Sequence, residues 1–154
     1  MTSVPTGFLP TPDDLAALGG RVARRLRRGD AVCLYGPLGA GKSTLARGLI
    51  RALTTAKEDV PSPTFNLVQF YDGPDFPVAH FDLYRLARPE EAFELGLDEA
   101  MDDGAAVIEW PERLGEALPA DRLDIELSAP PEGGRRARLT AWGAWIGRTE
   151  DLLP

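Results

Sequence analysis

One nine-residue stretch constrains this chain more than any other. Gly36-Pro37-Leu38-Gly39-Ala40-Gly41-Lys42-Ser43-Thr44 fits the phosphate-loop pattern G-x-x-x-x-G-K-[ST]. The pattern has chemical meaning only between a strand and a helix. Ahead of it, Ala31-Val32-Cys33-Leu34-Tyr35 is an apolar run of strand length. Behind it, Lys42 to Leu53 carries Leu45, Leu49 and Leu53 on one helical face, with Ala46 and Ile50 beside them. Glycines allow the positive φ values and close backbone approach of a phosphate cradle. The free N–H groups and dipole at a helix start favour an anion there. The whole loop, Gly36 to Thr44, is therefore expected to wrap the phosphates of a nucleotide. Lys42 is expected to reach the β- and γ-phosphates, and the Ser43 hydroxyl to ligate Mg²⁺.

Two more apolar runs end in an acid. Pro77-Val78-Ala79-His80-Phe81-Asp82 and Ala105-Ala106-Val107-Ile108-Glu109 both read as strands. In an open parallel sheet, ligands bind beyond the carboxyl ends of the strands. If these two strands run parallel to the one feeding the loop, Asp82 and Glu109 lie near the metal and the terminal phosphate. Spacing does not say which acid touches the metal and which positions water. Thr64 lies in Ser62-Pro63-Thr64-Phe65, a proline-held extended segment where nucleotide switches place a γ-phosphate sensor; the alternative is a plain connection. His80, the only histidine, sits mid-strand and reads as a core or interface residue rather than a catalytic base. Trp110 either walls the site or packs.

The remaining elements follow in order. Met1 to Pro10 reads as an extended lead-in. Thr11-Pro12-Asp13-Asp14 starts a helix, with Thr11 as cap and acids in the first turn, and Leu15, Leu18, Val22 and Leu26 as its buried stripe. Arg24, Arg25, Arg27 and Arg28 crowd its end and read as a solvated terminus rather than a phosphate or RNA contact, with Gly29 closing it. Thr54 to Pro61 is a linker, Leu67 to Tyr71 a strand, and Asp72-Gly73-Pro74-Asp75 a turn. One helix is expected from Pro89 to Met101, with Gly96 as a weak point, and a short one from Pro111 to Leu118. Arg122–Ser128 and Arg136–Trp142 form an antiparallel hairpin across Pro130–Gly134. Residues 144–154 are expected to be a short tail. One domain is expected over residues 1–154, with no internal repeat.

Composition limits the function. With 17 basic and 24 acidic residues the net charge is −7, which argues against the chain gripping nucleic acid by itself. RNA held by a partner stays open. The single cysteine, Cys33, suits a reducing compartment and a buried role. No apolar run approaches a membrane span, and the N-terminus lacks signal-peptide features, so a cytoplasmic protein is expected. The chain lacks an Asn-Lys-x-Asp guanine-reading segment, a Leu-Ser-Gly-Gly signature and an arginine-rich lid. These absences disfavour a Ras-like GTPase, a transporter ATPase and a nucleoside-phosphate kinase.

Four segments together resemble the TsaE (formerly YjeE) family of bacterial tRNA threonylcarbamoyladenosine biosynthesis. They are Gly36–Thr44, Ser62-Pro63-Thr64-Phe65, His80-Phe81-Asp82-Leu83-Tyr84-Arg85 and Ile108-Glu109-Trp110. Their order and intervals match over roughly Thr11 to Leu127. The resemblance implies an α/β P-loop NTPase fold: three layers, a mostly parallel but mixed sheet, and here a C-terminal antiparallel hairpin. It implies an ATPase, weak alone, that uses ATP and Mg²⁺. Its implied partners are TsaB and TsaD, the pair that transfers the threonylcarbamoyl group to the adenosine beside the anticodon; tRNA is met only through that complex. ATP hydrolysis is implied to reset the pair between turnovers. By the same resemblance Lys42 holds phosphates, Ser43 and Glu109 serve Mg²⁺, and Asp82 supports hydrolysis. Thr64 lies in a switch-like segment, Trp110 borders the site, and the region of Thr11 lies near the adenine. The chain departs from the family in having Pro37 where an acid is frequent and Ser43 where Thr is frequent. Ser43 keeps the hydroxyl; Pro37 removes one N–H and one charge. The resemblance is weak after Ser128, and no function is assigned there. The competing readings are a non-hydrolytic, ATP-gated binding switch and a small-molecule kinase whose lid a partner supplies.

Overall fold

The apolar run before the phosphate loop becomes the centre of a seven-stranded sheet. The computed structural model describes residues 5–63 and 65–154. The strands are β1 (Thr6–Leu9), β2 (Ala31–Tyr35), β3 (Val68–Asp72), β4 (Pro77–Asp82), β5 (Ala105–Glu109), β6 (Arg122–Ser128) and β7 (Arg135–Trp142). Their order in the sheet is β1-β7-β6-β2-β5-β4-β3. The inner pairings β6–β2, β2–β5 and β5–β4 are parallel, while β1–β7, β7–β6 and β4–β3 are antiparallel. This is a mixed α/β sheet of the P-loop NTPase kind, and the expected β6–β7 hairpin is present.

Helices α1 (Pro12–Arg25) and α2 (Lys42–Leu53) cover one face, with Leu15, Leu18, Val22, Leu45, Leu49 and Ile50 buried against Val32, Leu34, Val107 and Ile125. The two helices cross closely. A Cβ on Gly19 would collide with the Leu45 carbonyl, and one on Gly48 with the Ala16 backbone, so neither position tolerates a side chain. Thr11 caps α1 through a capping box with Asp14. The helix stops at Arg25, with Leu26 as C-cap, before Gly29. Gly29 instead donates its N–H to the Gly104 carbonyl at 2.7 Å.

The opposite face is covered by α3 (Glu90–Glu94), α4 (Leu97–Asp103) and a 3-10 turn over Pro111–Ala117. Ala92, Leu97, Ala100 and Leu114 pack there on Cys33, Phe81 and Ile108. Cys33 is buried, as expected, and desolvation pushes its thiol pKa up. The single helix expected over Pro89–Met101 is two: Gly96 takes φ +92° and breaks it, a conformation that costs glycine little.

The described residues toward both ends form more structure than the sequence suggests. The described part of the lead-in forms β1, an edge strand on β7; Met1–Val4 lie outside the described residues. The segment expected as a tail is docked on α1. Trp145 and Leu152 are buried in the α1–α2 core. The Arg148 guanidinium makes a bidentate pair with Asp30 at 3.0 and 2.9 Å and also donates to the Arg25 and Ala144 carbonyls. Arg25, read as part of a solvated helix end, donates to the carbonyls of Arg148 and Glu150.

Candidate functional site

Three parallel strands deliver their carboxyl ends to one place. β2 runs into the phosphate loop, and the register sets Asp82 of β4 directly opposite Glu109 of β5. The pleat turns His80 and Asp82 to the same face, because Ala79 and Phe81 point into the other core. The resulting cleft has a volume of about 430 Å³; Gly39, Gly41, Lys42, Ser43, Thr44, Ser62, Asp82, Tyr84, Glu109 and Trp110 are among the residues that line it.

The loop's backbone is committed to its shape. Gly41 caps α2 with φ +105°, and a Cβ there would lie 2.6 Å from Leu15 Cδ1, so the loop is seated directly on α1. Pro37 accepts from the Ala40 N–H at 3.1 Å, a turn inside the loop, while Leu38 is largely exposed.

Two carboxylates opposite one another repel, and each is held by its own hydrogen-bond partners. Glu109 Oε1 accepts from Ser43 Oγ at 3.1 Å, and Oε2 lies 2.6 Å from His80 Nε2. Asp82 Oδ1 accepts from the Tyr84 N–H at 3.1 Å, and Oδ2 from Ser62 Oγ at 3.2 Å. A carboxylate only accepts, so His80 carries its hydrogen on Nε2; its Nδ1 is buried without a partner among the described residues. His80 therefore does more than fill the core: it fixes the orientation of Glu109.

Lys42 is buried at the end of the loop and folded back. Its ammonium donates to the Gly36 carbonyl and lies 3.4 Å from the centroid of the Trp110 ring. Desolvation lowers its pKa, and Glu109, Glu112 and Asp82 oppose that shift. Trp110 reaches this position from a left-handed backbone conformation, φ +60°, with Tyr84 against its ring at 4.9 Å between centroids. Such a conformation is costly for a bulky residue. Trp110 thus both walls the site and packs on its lysine.

The sequence-derived residues fare unequally. Lys42, Ser43, Asp82, Glu109 and Trp110 converge on the cleft. Thr11 is spent on capping α1, and its hydroxyl donates to Asp14 Oδ2 at 2.7 Å; it is not among the residues lining the cleft. Thr64 lies outside the described residues. Sequence reasoning missed Ser62 and Tyr84 as Asp82's partners and His80 as Glu109's. The signal for His80 was present: it stands two residues before Asp82, so one strand face carries both.

The chain also matches known proteins. A family model described as threonylcarbamoyl adenosine biosynthesis protein TsaE fits residues 9–137. The chain belongs to the TsaE family. The TsaE protein of Rickettsia conorii is 37% identical over 121 residues, covering 79% of this chain and 69% of its own. That of Mycobacterium tuberculosis is 36% identical over 152 residues, covering 93% and 90%. Among solved structures, the crystal structure of YdiB from Bacillus subtilis superposes with a TM-score of 0.79 at 30% identity, over 99% of this chain and 93% of that one. TsaE membership places the chain in tRNA threonylcarbamoyladenosine biosynthesis. Among the described residues, no helix is long and apolar enough to cross a membrane.

The donor set of the cleft fits a hard divalent cation that keeps much of its water. One hydroxyl and two carboxylates offer only oxygen. No group of three His, Cys, Asp or Glu side chains is placed to hold a metal among the described residues. The cleft is thus suited to a cation brought with a phosphate ligand rather than to a closed metal cage.

Proposed function

We propose that this chain binds ATP with Mg²⁺ and hydrolyses it as the accessory subunit of a TsaB–TsaD pair that modifies tRNA. The convergence of Lys42, Ser43, Asp82 and Glu109 on one cleft at the ends of three parallel strands carries this reading. Gly36 to Thr44 would take the phosphates, with Lys42 leaving Gly36 and Trp110 to serve as their counter-charge. Ser43 and Glu109 would hold Mg²⁺, whose chemistry is to neutralise charge on the phosphate oxygens. Asp82 would orient the attacking water, with Tyr84 and Ser62 holding the carboxylate still. Thr64 is assigned to the segment that senses the terminal phosphate. Adenine is assigned to the region of Thr11, since α1 adjoins the loop where Leu15 meets Gly41.

The acidic balance agrees with tRNA being held by the partners, and the single cysteine, buried at Cys33, agrees with a reducing compartment such as the cytoplasm. ATP turnover measured with and without the TsaB–TsaD pair tests the reading. Turnover is expected to rise with the pair; if neither hydrolysis nor nucleotide affinity changes, the accessory role is wrong.

One observation favours a second reading, a nucleotide switch without obligatory hydrolysis. Ser62, at the head of the Ser62–Leu67 segment, is bonded directly to Asp82. A nucleotide that displaces this bond would free or reorder that segment for a partner. An Asp82→Ala chain that loses hydrolysis yet supports full tRNA modification would establish the switch.

A further inference from the structure

The phosphate loop is gripped from outside its own motif. Arg135, the first residue of β7, donates from Nε to the Ala40 carbonyl and from Nη2 to the Gly39 carbonyl, each at 3.0 Å. Its third nitrogen, Nη1, donates to the Gly134 carbonyl at 2.7 Å. Among the described residues it pairs with no carboxylate. So the guanidinium spends its fork on loop carbonyls and leaves its charge unneutralised beside the cradle.

We propose that Arg135 is a positioning residue for nucleotide binding: by holding the Gly39 and Ala40 carbonyls, it fixes which way the loop's peptide groups face. The inference rests on the nucleotide-binding reading given above. In a trans peptide the carbonyl and the following N–H point in opposite directions. Holding the Ala40 carbonyl toward Arg135 therefore aims the Gly41 N–H the other way. The Gly39–Ala40 peptide is held at both ends, by Arg135 at its oxygen and by Pro37 at its N–H. Glycine-rich backbone flips readily, and a carbonyl turned into the cradle would face a phosphate oxygen with like partial charge. Arg135 removes that alternative before the ligand arrives, which is preorganisation.

The placement of Arg135 is itself built. Leu9 of β1 pairs with Arg135, and β6 pairs along the rest of β7. Thus the lead-in and the hairpin, for which the sequence suggested no function, carry a residue to the site. Lysine could supply the charge but not the planar fork that spans two adjacent carbonyls.

The test compares ATP affinity, by calorimetry in Mg²⁺, of the full chain with its Arg135→Ala and Arg135→Lys variants, alongside their melting temperatures. Arg135→Ala is expected to weaken ATP binding by about tenfold, the loss of two hydrogen bonds' worth of organisation. Arg135→Lys is expected to recover less than half of that loss on a logarithmic scale, and added methylguanidinium to restore affinity to Arg135→Ala. The inference is overturned if Arg135→Ala binds ATP within about twofold of the parent, if lysine restores affinity fully, or if affinity falls only with melting temperature and methylguanidinium rescues nothing. A parent chain that ignores ATP sinks the functional reading itself, an outcome distinct from these because it appears before any variant is made.

Discussion

Two buried ionic clusters stand at opposite ends of the sheet and treat charge in opposite ways. At the far end, Asp30 and Arg148 are matched: a bidentate pair, with the remaining guanidinium donors taken by carbonyls. At the cleft, two carboxylates face each other across a β4–β5 pair, and the lysine beside them rests on a backbone carbonyl and an indole ring. The first cluster is finished and holds the C-terminal segment to α1. On the proposed reading the second is provisional: its lysine would leave the Gly36 carbonyl and the indole for phosphate, and Ser43 and Glu109 would turn from each other to a shared cation. Structural ion pairs close on themselves; functional ones leave an interaction to be made by something else.

Lys42→Ala should separate the two clusters most sharply. Loss of the loop's cation is expected to lower ATP turnover by about 10²–10³-fold, read in a steady-state assay with the partner pair, while the denaturation midpoint stays near that of the parent. At the other end, Arg148→Ala leaves Asp30 buried without a counter-charge, with only the Arg27 N–H, among the described residues, still donating to it. A loss of about 3–5 kcal/mol in unfolding free energy is expected, measured by denaturant titration, with ATP affinity unchanged in whatever fraction stays folded. Equal damage to affinity would show that the two ends are not independent.

A subtler contrast comes from Asp82→Asn. It keeps an acceptor for the Tyr84 N–H but removes the charge facing Glu109. Turnover is expected to fall by about 10²-fold, whereas stability is expected to rise by about 0.5 kcal/mol. Asp30→Asn should do the reverse for stability. A destabilised Asp82→Asn chain would mean that the cleft carboxylates are not in conflict.

The smallest effect is in pH. Desolvation lowers the Lys42 pKa in the free protein, and the charged form is the one that attracts phosphate. ATP affinity should therefore begin to fall as pH rises at a point below the ordinary lysine value of about 10.4. In Lys42→Ala that fall should vanish.

The same division explains what could be read in advance. The cleft is legible because its parts are local: a loop between a strand and a helix, and two strands that each end in an acid. Lys42 and the two acids then follow once the strands run parallel, whereas the association of Ser43 with Glu109 rather than Asp82 came only from the family resemblance. The far end is not legible, because nothing near Arg148 marks its partner Asp30, and Trp145 and Leu152 show no period. β1 escaped notice for a related reason: Thr6–Leu9 is four residues with a glycine, too short for alternation, and it exists only because β7 offers an edge. The expected helix over Pro89–Met101 had the right apolar stripe, yet Gly96 took a left-handed turn that a stripe cannot reveal. His80 was visible as a residue but not as a partner, since that depended on the register between β4 and β5.

The distant brackets around the loop also set a timetable for synthesis. Ala40 and its clamp Arg135 are 95 residues apart, and Asp30 and Arg148 are 118 apart. At about 5–20 residues per second, a ribosome needs roughly 5–19 seconds between Ala40 and Arg135. During that interval the glycine-rich loop has already emerged while its clamp is still unmade. On the proposed reading, a nascent chain of this protein should therefore acquire its grip on ATP only once β7 has been made, rather than when the phosphate loop itself leaves the exit tunnel.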